Sequence, residues 1–435
     1  MKKILFLLGV FMNICFTSSL PKYESLTLDN GLQIVVIPIH NKSGVIQTSI
    51  FYKVGSRNEF MGKSGIAHML EHLNFKSTKN LKAGEFDEIV KKFGGVTNAS
   101  TGFDYTHYFI KSSAKNLDQS LDLFAELMQN LSLKEDEFLP ERDVVAEERR
   151  WRTDNNPVGY LYFRFFNTAF IYHPYHWTPI GFMDDILNWK IEDIKDFHST
   201  YYQPQNAIVL VSGDINPQDV FTKAKQYFSA IPNTSQIPLV FAQEPKQDGP
   251  REVTVYKDTQ LEWLAFGFKI PNFSSKDQVA LSALSSLLSN GKSSLLYKDL
   301  VDSKRLSNQI YGYNMDLMDE GVFMFIASAN HGIQAQDVKK EIIKILDDIK
   351  EGKIHQEDLD KLKINTKAEF LYSLEDASSV ADLFGSYFAR GNIQPLLDYE
   401  KAFENLTIDD LVNVANKYLL LDHSTTVILK PHKEK

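Results

Sequence analysis

Residues 68–72 read His68-Met69-Leu70-Glu71-His72. Two histidines four apart share one face of a helix, with Cβ atoms about 5–6 Å apart. The apolar residues Ile66, Met69, Leu70 and Leu73 among them give that helix a face to bury, and Ser64 stands where a cap is expected. The stretch is therefore read as a short helix that offers two imidazoles to one metal ion. Glu71 sits close to the same face, so a carboxylate lies beside whatever the ion binds.

The chain around this helix is too long for one ordinary core: 435 residues suit two or three domains. Hydrophobic residues make up 43% and charged residues 24%, ordinary globular values. The net charge of −9 gives no reason to expect nucleic acid as a partner. Nucleotide binding is not expected either. Gly291-Lys292-Ser293 resembles the end of a phosphate loop, but Ser286 stands where that loop needs a glycine.

Residues 1–20 have the layout of a secretory signal peptide. Met1-Lys2-Lys3 is basic, Ile4 to Phe16 is nearly all apolar, and Thr17-Ser18-Ser19 offers small residues for cleavage. The apolar run is shorter than the roughly 18–20 residues of a spanning helix, although an uncleaved anchor is the alternative. Periplasmic or secreted localisation is expected. Cys15 is the sole cysteine, so the mature chain holds no disulfide and no thiolate metal site. Any metal must be held by His, Asp or Glu.

Along the chain, Leu26–Ile37 reads as strand, Asn-Gly turn, strand. Further strands are expected at Val45–Val54 and Ala207–Ser212, with a helical stripe at Leu117, Leu121, Phe124 and Met128. A charged helix is expected after Pro140, from Glu141 to about Thr153. Between Pro232 and Arg251 the periodicity fades into Pro, Gln, Ser, Asp and Gly. It restarts with strands near 252–269, helices near 275–302, a strand near 320–328 and helices near 335–350 and 355–372. The two halves end alike. Ile191-Glu192-Asp193-Ile194 leads to Tyr201 and a strand, and Ile408-Asp409-Asp410-Leu411 leads to Tyr418 and a strand. This suggests a duplicated α+β unit of about 200 residues. The expected division is a signal peptide 1–20, a metal-binding domain 21–232, a linker 233–251 and a homologous non-metal domain 252–435.

Catalytic zinc usually takes three protein ligands and keeps one position for water. A third ligand is sought on the charged helix, where Glu141, Glu147 and Glu148 are candidates. Glu141 and Glu148 are seven apart on one face, which suits one ligand and one partner for a histidine N–H. The order His-x-x-Glu-His is the reverse of the commoner zinc-protease motif and has its own label, inverzincin.

His68-x-x-Glu71-His72 followed 76 residues later by Glu148, with Val54-Gly55-Ser56-Arg57, Gly94 to Thr101, His173-Pro174-Tyr175 and Pro179-Ile180-Gly181, resembles the pitrilysin/insulinase family of zinc peptidases. The nearest branch is that of the mitochondrial processing peptidase and its short bacterial relatives. The resemblance covers nearly all of residues 22–432. It implies His68, His72 and Glu148 as ligands of one zinc ion per chain, Glu71 as general base and Glu141 as support behind the ligands. It also implies Asn98 and Ala99 as the edge-strand segment against which an extended substrate lies. The implied fold is α+β: two homologous domains, each an antiparallel sheet packed with helices, arranged as a clamshell. The implied function is zinc-dependent endopeptidase action on peptides or unfolded segments. His107 and His173 lack ligand spacing and are read as packing or surface.

One departure qualifies this. Many active members carry an arginine and a tyrosine seven apart in the second half, which help to hold substrate and the developing oxyanion. Val301 and Asn308 stand at those places here, and Arg305 with Tyr311 or Tyr313 could substitute only in a shifted register. An oxyanion donor is worth about 3–4 kcal/mol, so a related metal-free subunit that supplies the pair is the expected partner. The rival expectation is a non-catalytic scaffold subunit of the same fold.

Overall fold

The computed structural model describes residues 18–432. The leader expected at 1–20 therefore lies outside the described residues except for its last three. The first half of the chain runs β1 (Glu24–Thr27), β2 (Gln33–Pro38), β3 (Val45–Tyr52), α1 (Ile66–Leu73), α2 (Glu85–Lys92), β4 (Val96–Thr101), β5 (Thr106–Ser113), α3 (Leu117–Asn130), α4 (Glu135–Arg149), α5 (Pro157–Ala169), α6 (Met183–Asn188), α7 (Ile191–Tyr201), β6 (Ala207–Gly213) and α8 (Pro217–Phe228). The second half runs β7 (Arg251–Lys257), β8 (Trp263–Ile270), α9 (Gln278–Ser289), β9 (Ser307–Met315), β10 (Gly321–Ala329), α10 (Ala335–Lys350), α11 (Gln356–Ser373), α12 (Ala377–Ala389), α13 (Gln394–Glu404), α14 (Ile408–Tyr418) and β11 (Ser424–Pro431).

The strands form two sheets of the same plan. The first has the order β1-β2-β6-β3-β5-β4 and the second β7-β11-β8-β10-β9. Leaving out β1, the two orders match strand for strand. Helices α7 and α14, each running from the isoleucine to the tyrosine noted in the sequence, precede β6 and β11. The expectation of antiparallel sheets needs one correction. Each sheet contains a parallel pair, β2 with β6 and β7 with β11. The last strand of each half returns after a long helical crossover and inserts beside the first long strand, and such a connection delivers it parallel.

Both faces of each sheet are covered, which explains the unbroken apolar runs of β2, β6 and β10. On β2, Ile34 and Val36 join the core under α1, α3 and α8, while Val35 and Ile37 point to the opposite face. That opposite face is covered by α12, through Val380, Ala381, Phe384 and Phe388. The reciprocal arrangement holds for the second sheet. Phe266, Phe268, Phe323 and Phe325 face α9, α10 and α14, while Ala265, Met324, Ile326 and Val427 pack on α5 through Leu161, Phe165 and Phe166. Each half thus lends one helix to the sheet of the other.

A polar network ties the turn between β9 and β10 to the first half. Asp319 accepts from Arg57 Nε at 2.5 Å and pairs with His173 Nε2 at 3.0 Å. Asp104 accepts from Tyr175 Oη and from Met318 N. The segment 229–250 has neither helix nor strand, but it is anchored. Glu244 accepts from the backbone N–H groups of Ile171, Tyr172 and His173 and pairs with Lys269 at 3.0 Å. His107 is a packed core residue, stacked on Phe51 at 3.9 Å.

A Cβ on Gly385 of α12 would lie 2.1 Å from the Phe51 ring. Gly385→Ala should cost about 1–3 kcal/mol through overpacking, read as a lower urea midpoint; an unchanged midpoint contradicts the packing. Burial would raise the Asp319 carboxyl, but His173 and Arg57 override it and hold it at about 2. A depressed carboxyl contributes stability above its unfolded value and loses it as pH falls through the folded one. Asp319→Asn should therefore lower the melting temperature at pH 7, and the difference from the native protein should shrink between about pH 4 and pH 2.

Candidate metal centre

Helix α1 is eight residues long, and its burial pattern selects the site. Ile66, Ala67, Met69, Leu70 and Leu73 are buried in the first core, which leaves His68, Glu71 and His72 half-buried on the remaining face. Its start differs from the sequence expectation. Gly65, not Ser64, is the capping residue, at φ +88°. A Cβ there would meet Ile180 O at 2.7 Å, so only glycine fits. The free helix N–H groups are taken by Glu59, which accepts from Gly65 N and Ala67 N at 2.8 Å and from Trp177 Nε1. Ser64 instead gives its N–H and hydroxyl to Asp185. At the other end, Asn74 Nδ2 donates to Leu70 O and Tyr108 Oη.

Helix α4 supplies the other wall. It begins at Glu135 rather than after Pro140, which lies inside it. The first turn is held despite the proline because Phe138 is buried and Glu137 accepts from Ser77 N and Oγ. The heptad offset works as the sequence suggested: Glu141 and Glu148 both face α1. Glu147 is turned outward and pairs with Arg150.

His68, His72 and Glu148 each offer a donor atom, and these lie within 4.8 Å of one another. Glu148 Oε2 is 3.3 Å from His72 Nε2 and 3.7 Å from His68 Nε2. Donors bound to a tetrahedral zinc at about 2.0–2.1 Å are themselves about 3.3 Å apart, so the spacing fits such an ion. His72 Nδ1 lies 2.8 Å from Glu141 Oε1, and this contact directs Nε2 toward Glu148. His68 Nδ1 is buried and has no partner among the described residues. Burial and the neighbouring His72 push His68 down to about 4, so its ring is neutral and able to donate a lone pair. Burial would lower His72 as well, but hydrogen bonds to Glu141 and Glu148 push it up to about 9. The place between His72 and Glu148 thus favours a positive charge, which a metal ion supplies as well as a proton does.

Each of the three carboxylates has one oxygen occupied by a donor that sequence reasoning did not single out. Thr101 Oγ1 donates to Glu71 Oε2 at 2.5 Å, Lys76 Nζ is 2.5 Å from Glu141 Oε2, and Arg152 Nε is 3.1 Å from Glu148 Oε1. Burial raises the Glu71 carboxyl and the Thr101 bond opposes the rise. Lys76 and Arg152 lie four residues beyond His72 and Glu148, so the i, i+4 rule was the available signal. Thr101 comes from a separate strand and left none.

These groups line a cleft of about 650 Å³ whose wall opposite the helices is β4. That strand ends its sheet, with β5 as its sole neighbour among the described residues. Asn98 is exposed, and its Oδ1 accepts from the edge N–H of Ala99 at 2.9 Å. The described residues that line the cleft fall between His68 and Arg152. In the second half, Val301 lies in a π-helical turn and Asn308 Oδ1 accepts from Ser328 Oγ.

Fold and site together define a two-unit α+β protein with an inverted His-x-x-Glu-His metal helix on its first unit. The insulinase (peptidase family M16) model matches residues 35–171, and the peptidase M16 inactive-domain model matches residues 188–366. The chain belongs to this peptidase family. It is 63% identical to zinc protease PqqE of Helicobacter pylori over 417 residues, covering 95% of this chain and 94% of that protein. It is 26% identical to an uncharacterized zinc protease of Rickettsia felis, covering 93% and 97%. A solved protease from Helicobacter pylori superimposes with a TM-score of 0.94 at 62% identity, covering 95% of this chain and all of that one. The periplasmic protease PqqL from Escherichia coli shares the fold, with a TM-score of 0.77 at 19% identity, over 94% of this chain and 47% of that one.

Removing the support behind His72 should loosen the ion without unfolding α1. Glu141→Ala should weaken zinc binding about 10–100-fold, measured by competition with a chromophoric chelator. Native affinity in this variant would contradict the role drawn from the His72 contact.

Proposed function

We propose that the chain is a zinc-dependent endopeptidase acting on peptides or unfolded segments bound in extended form. His68, His72 and Glu148 are the ligands of one zinc ion, with Glu141 behind His72. The observation that carries the reading is the placement of Glu71 on the same helix face as both histidines, with Oε2 engaged by Thr101 and Oε1 without a partner among the described residues. Zinc, when bound, supplies an acidified water and a Lewis-acid contact for a peptide carbonyl. Glu71 Oε1 takes the proton of the attacking water and passes it to the leaving amine. Thr101 keeps Oε2 directed away from that transfer.

Strand β4 orients the substrate. Its free edge can bond a peptide main chain by β-augmentation, and Asn98 must first release the Ala99 N–H that it occupies. Such bonding reads little side-chain identity and requires an unfolded or flexible substrate. The cleft needs a further wall to exclude water. We assign that wall, and the arginine–tyrosine pair absent at Val301 and Asn308, to a related metal-free subunit. On this reading the leader places the pair outside the cytoplasm, and the chain divides into a metal-binding domain 21–232 and a non-metal domain 252–435 joined by 233–251.

The test is digestion of a peptide library by this chain alone and with a co-expressed relative lacking the zinc motif. Activity should appear or rise strongly with the partner. Glu71→Gln should bind zinc normally and lose about 10²–10⁴-fold in turnover. Full cleavage by the lone chain would refute the shared-site proposal, and full cleavage by Glu71→Gln would refute the mechanism.

A further inference from the structure

The two oxygens of Glu148 are treated differently. Oε2 faces both imidazole Nε2 atoms, at 3.3 and 3.7 Å. Oε1 points the other way, to Arg152 Nε at 3.1 Å. A carboxylate held only by its own side chain can offer a metal either one oxygen or two. Two-oxygen donation from Glu148 would fill the position that a catalytic zinc leaves to water.

The mounting of Arg152 is firmer than its exposure of 65% suggests. It lies on a π-helical turn, Arg150–Asp154, that continues α4. Turns of this kind are frequent at functional sites. This one is fixed from both ends. Arg149 is buried, stacks at 3.9 Å over the Phe163 ring and pairs with Asp154 at 3.1 Å. Lys257 from β7 donates to Asp154 O at 3.0 Å. The backbone under Arg152 is thereby held, and its guanidinium is carried to the outer oxygen of Glu148 at the rim of the cleft.

We infer that Arg152 is a positioning residue that restricts Glu148 to one-oxygen ligation and so keeps a coordination position open for water. This deepens the zinc-peptidase reading and rests on it. The sign of the effect separates it from a merely structural role. A guanidinium beside a ligand repels a dication and draws electron density from the carboxylate. Its removal should leave the metal bound at least as tightly while closing the open position. Loss of a structural support would instead loosen the metal.

The test uses the full chain loaded with cobalt(II) or zinc, with no peptide present. In Arg152→Gln, the visible cobalt bands should shift in position and stop responding to pH, as the second oxygen of Glu148 replaces the titratable water in a site that stays four-coordinate. Zinc affinity should be no weaker than in the native protein. Arg152→Lys, which keeps the charge without the planar fork, should fall between the two. With the partner and a peptide, kcat should drop about tenfold with KM unchanged. A cobalt spectrum identical to that of the native protein, or zinc binding weakened tenfold, overturns the inference. If the native chain binds neither metal stoichiometrically, the zinc reading itself fails, and the inference falls with it.

Discussion

An eight-residue helix is too short to hold its shape in water, since isolated helices below about 12–15 residues are marginal. Helix α1 has that length and carries His68, Glu71 and His72, so what the site can do depends on how the ends of α1 are tied. At its start Glu59 takes two helix N–H groups and the Trp177 indole. At its end Asn74 links Leu70 O to Tyr108, which in turn meets Tyr202 at 3.0 Å. Between these anchors the apolar residues fix the rotation of the helix, which turns His68 and His72 toward Glu148. Holding side chains in place by packing of this kind lowers the entropic cost of binding an ion.

The second half offers no metal donor to the described cluster, yet the first half cannot be completed without it. Helix α12 covers Val35, Phe51 and Ile208 on the face of the first sheet turned away from α1. Helix α5 leaves the first half directly after the turn that carries Arg152 and packs on the second sheet. This exchange couples the geometry of α4, and with it Glu148, to the packing of a sheet made from residues 251–431. It gives a physical reason for a unit matched by an inactive-domain model to stay attached to the metal-bearing one.

Much of this was legible in the sequence, for reasons that differ by element. The shared face of His68 and His72 could be read because they obey the i, i+4 rule, and that of Glu141 and Glu148 because a heptad keeps one face. The repeat could be read because α7 and α14 carry the same isoleucine-to-tyrosine spacing. Helices α5 and α12 were not read. Both are rich in aromatic or small residues, and the surface that organises them is the sheet of the other half, hundreds of residues away in places. Strand β9 was missed because, as the edge of its sheet, it buries few of its side chains. The capping by Glu59 escaped because a serine stood at the expected position while the real acceptor came from a preceding loop. The parallel pairs escaped because strand order is a property of the whole half.

The central claim is that one zinc ion sits among His68, His72 and Glu148, with Glu148 offering a single oxygen. It is tested most directly by anomalous diffraction at the zinc edge from crystals of the purified, unchelated protein. The account predicts one peak, about 2.0–2.2 Å from His68 Nε2, His72 Nε2 and Glu148 Oε2, with Oε1 still on Arg152. No peak at these residues, or a peak held by other side chains, would contradict it.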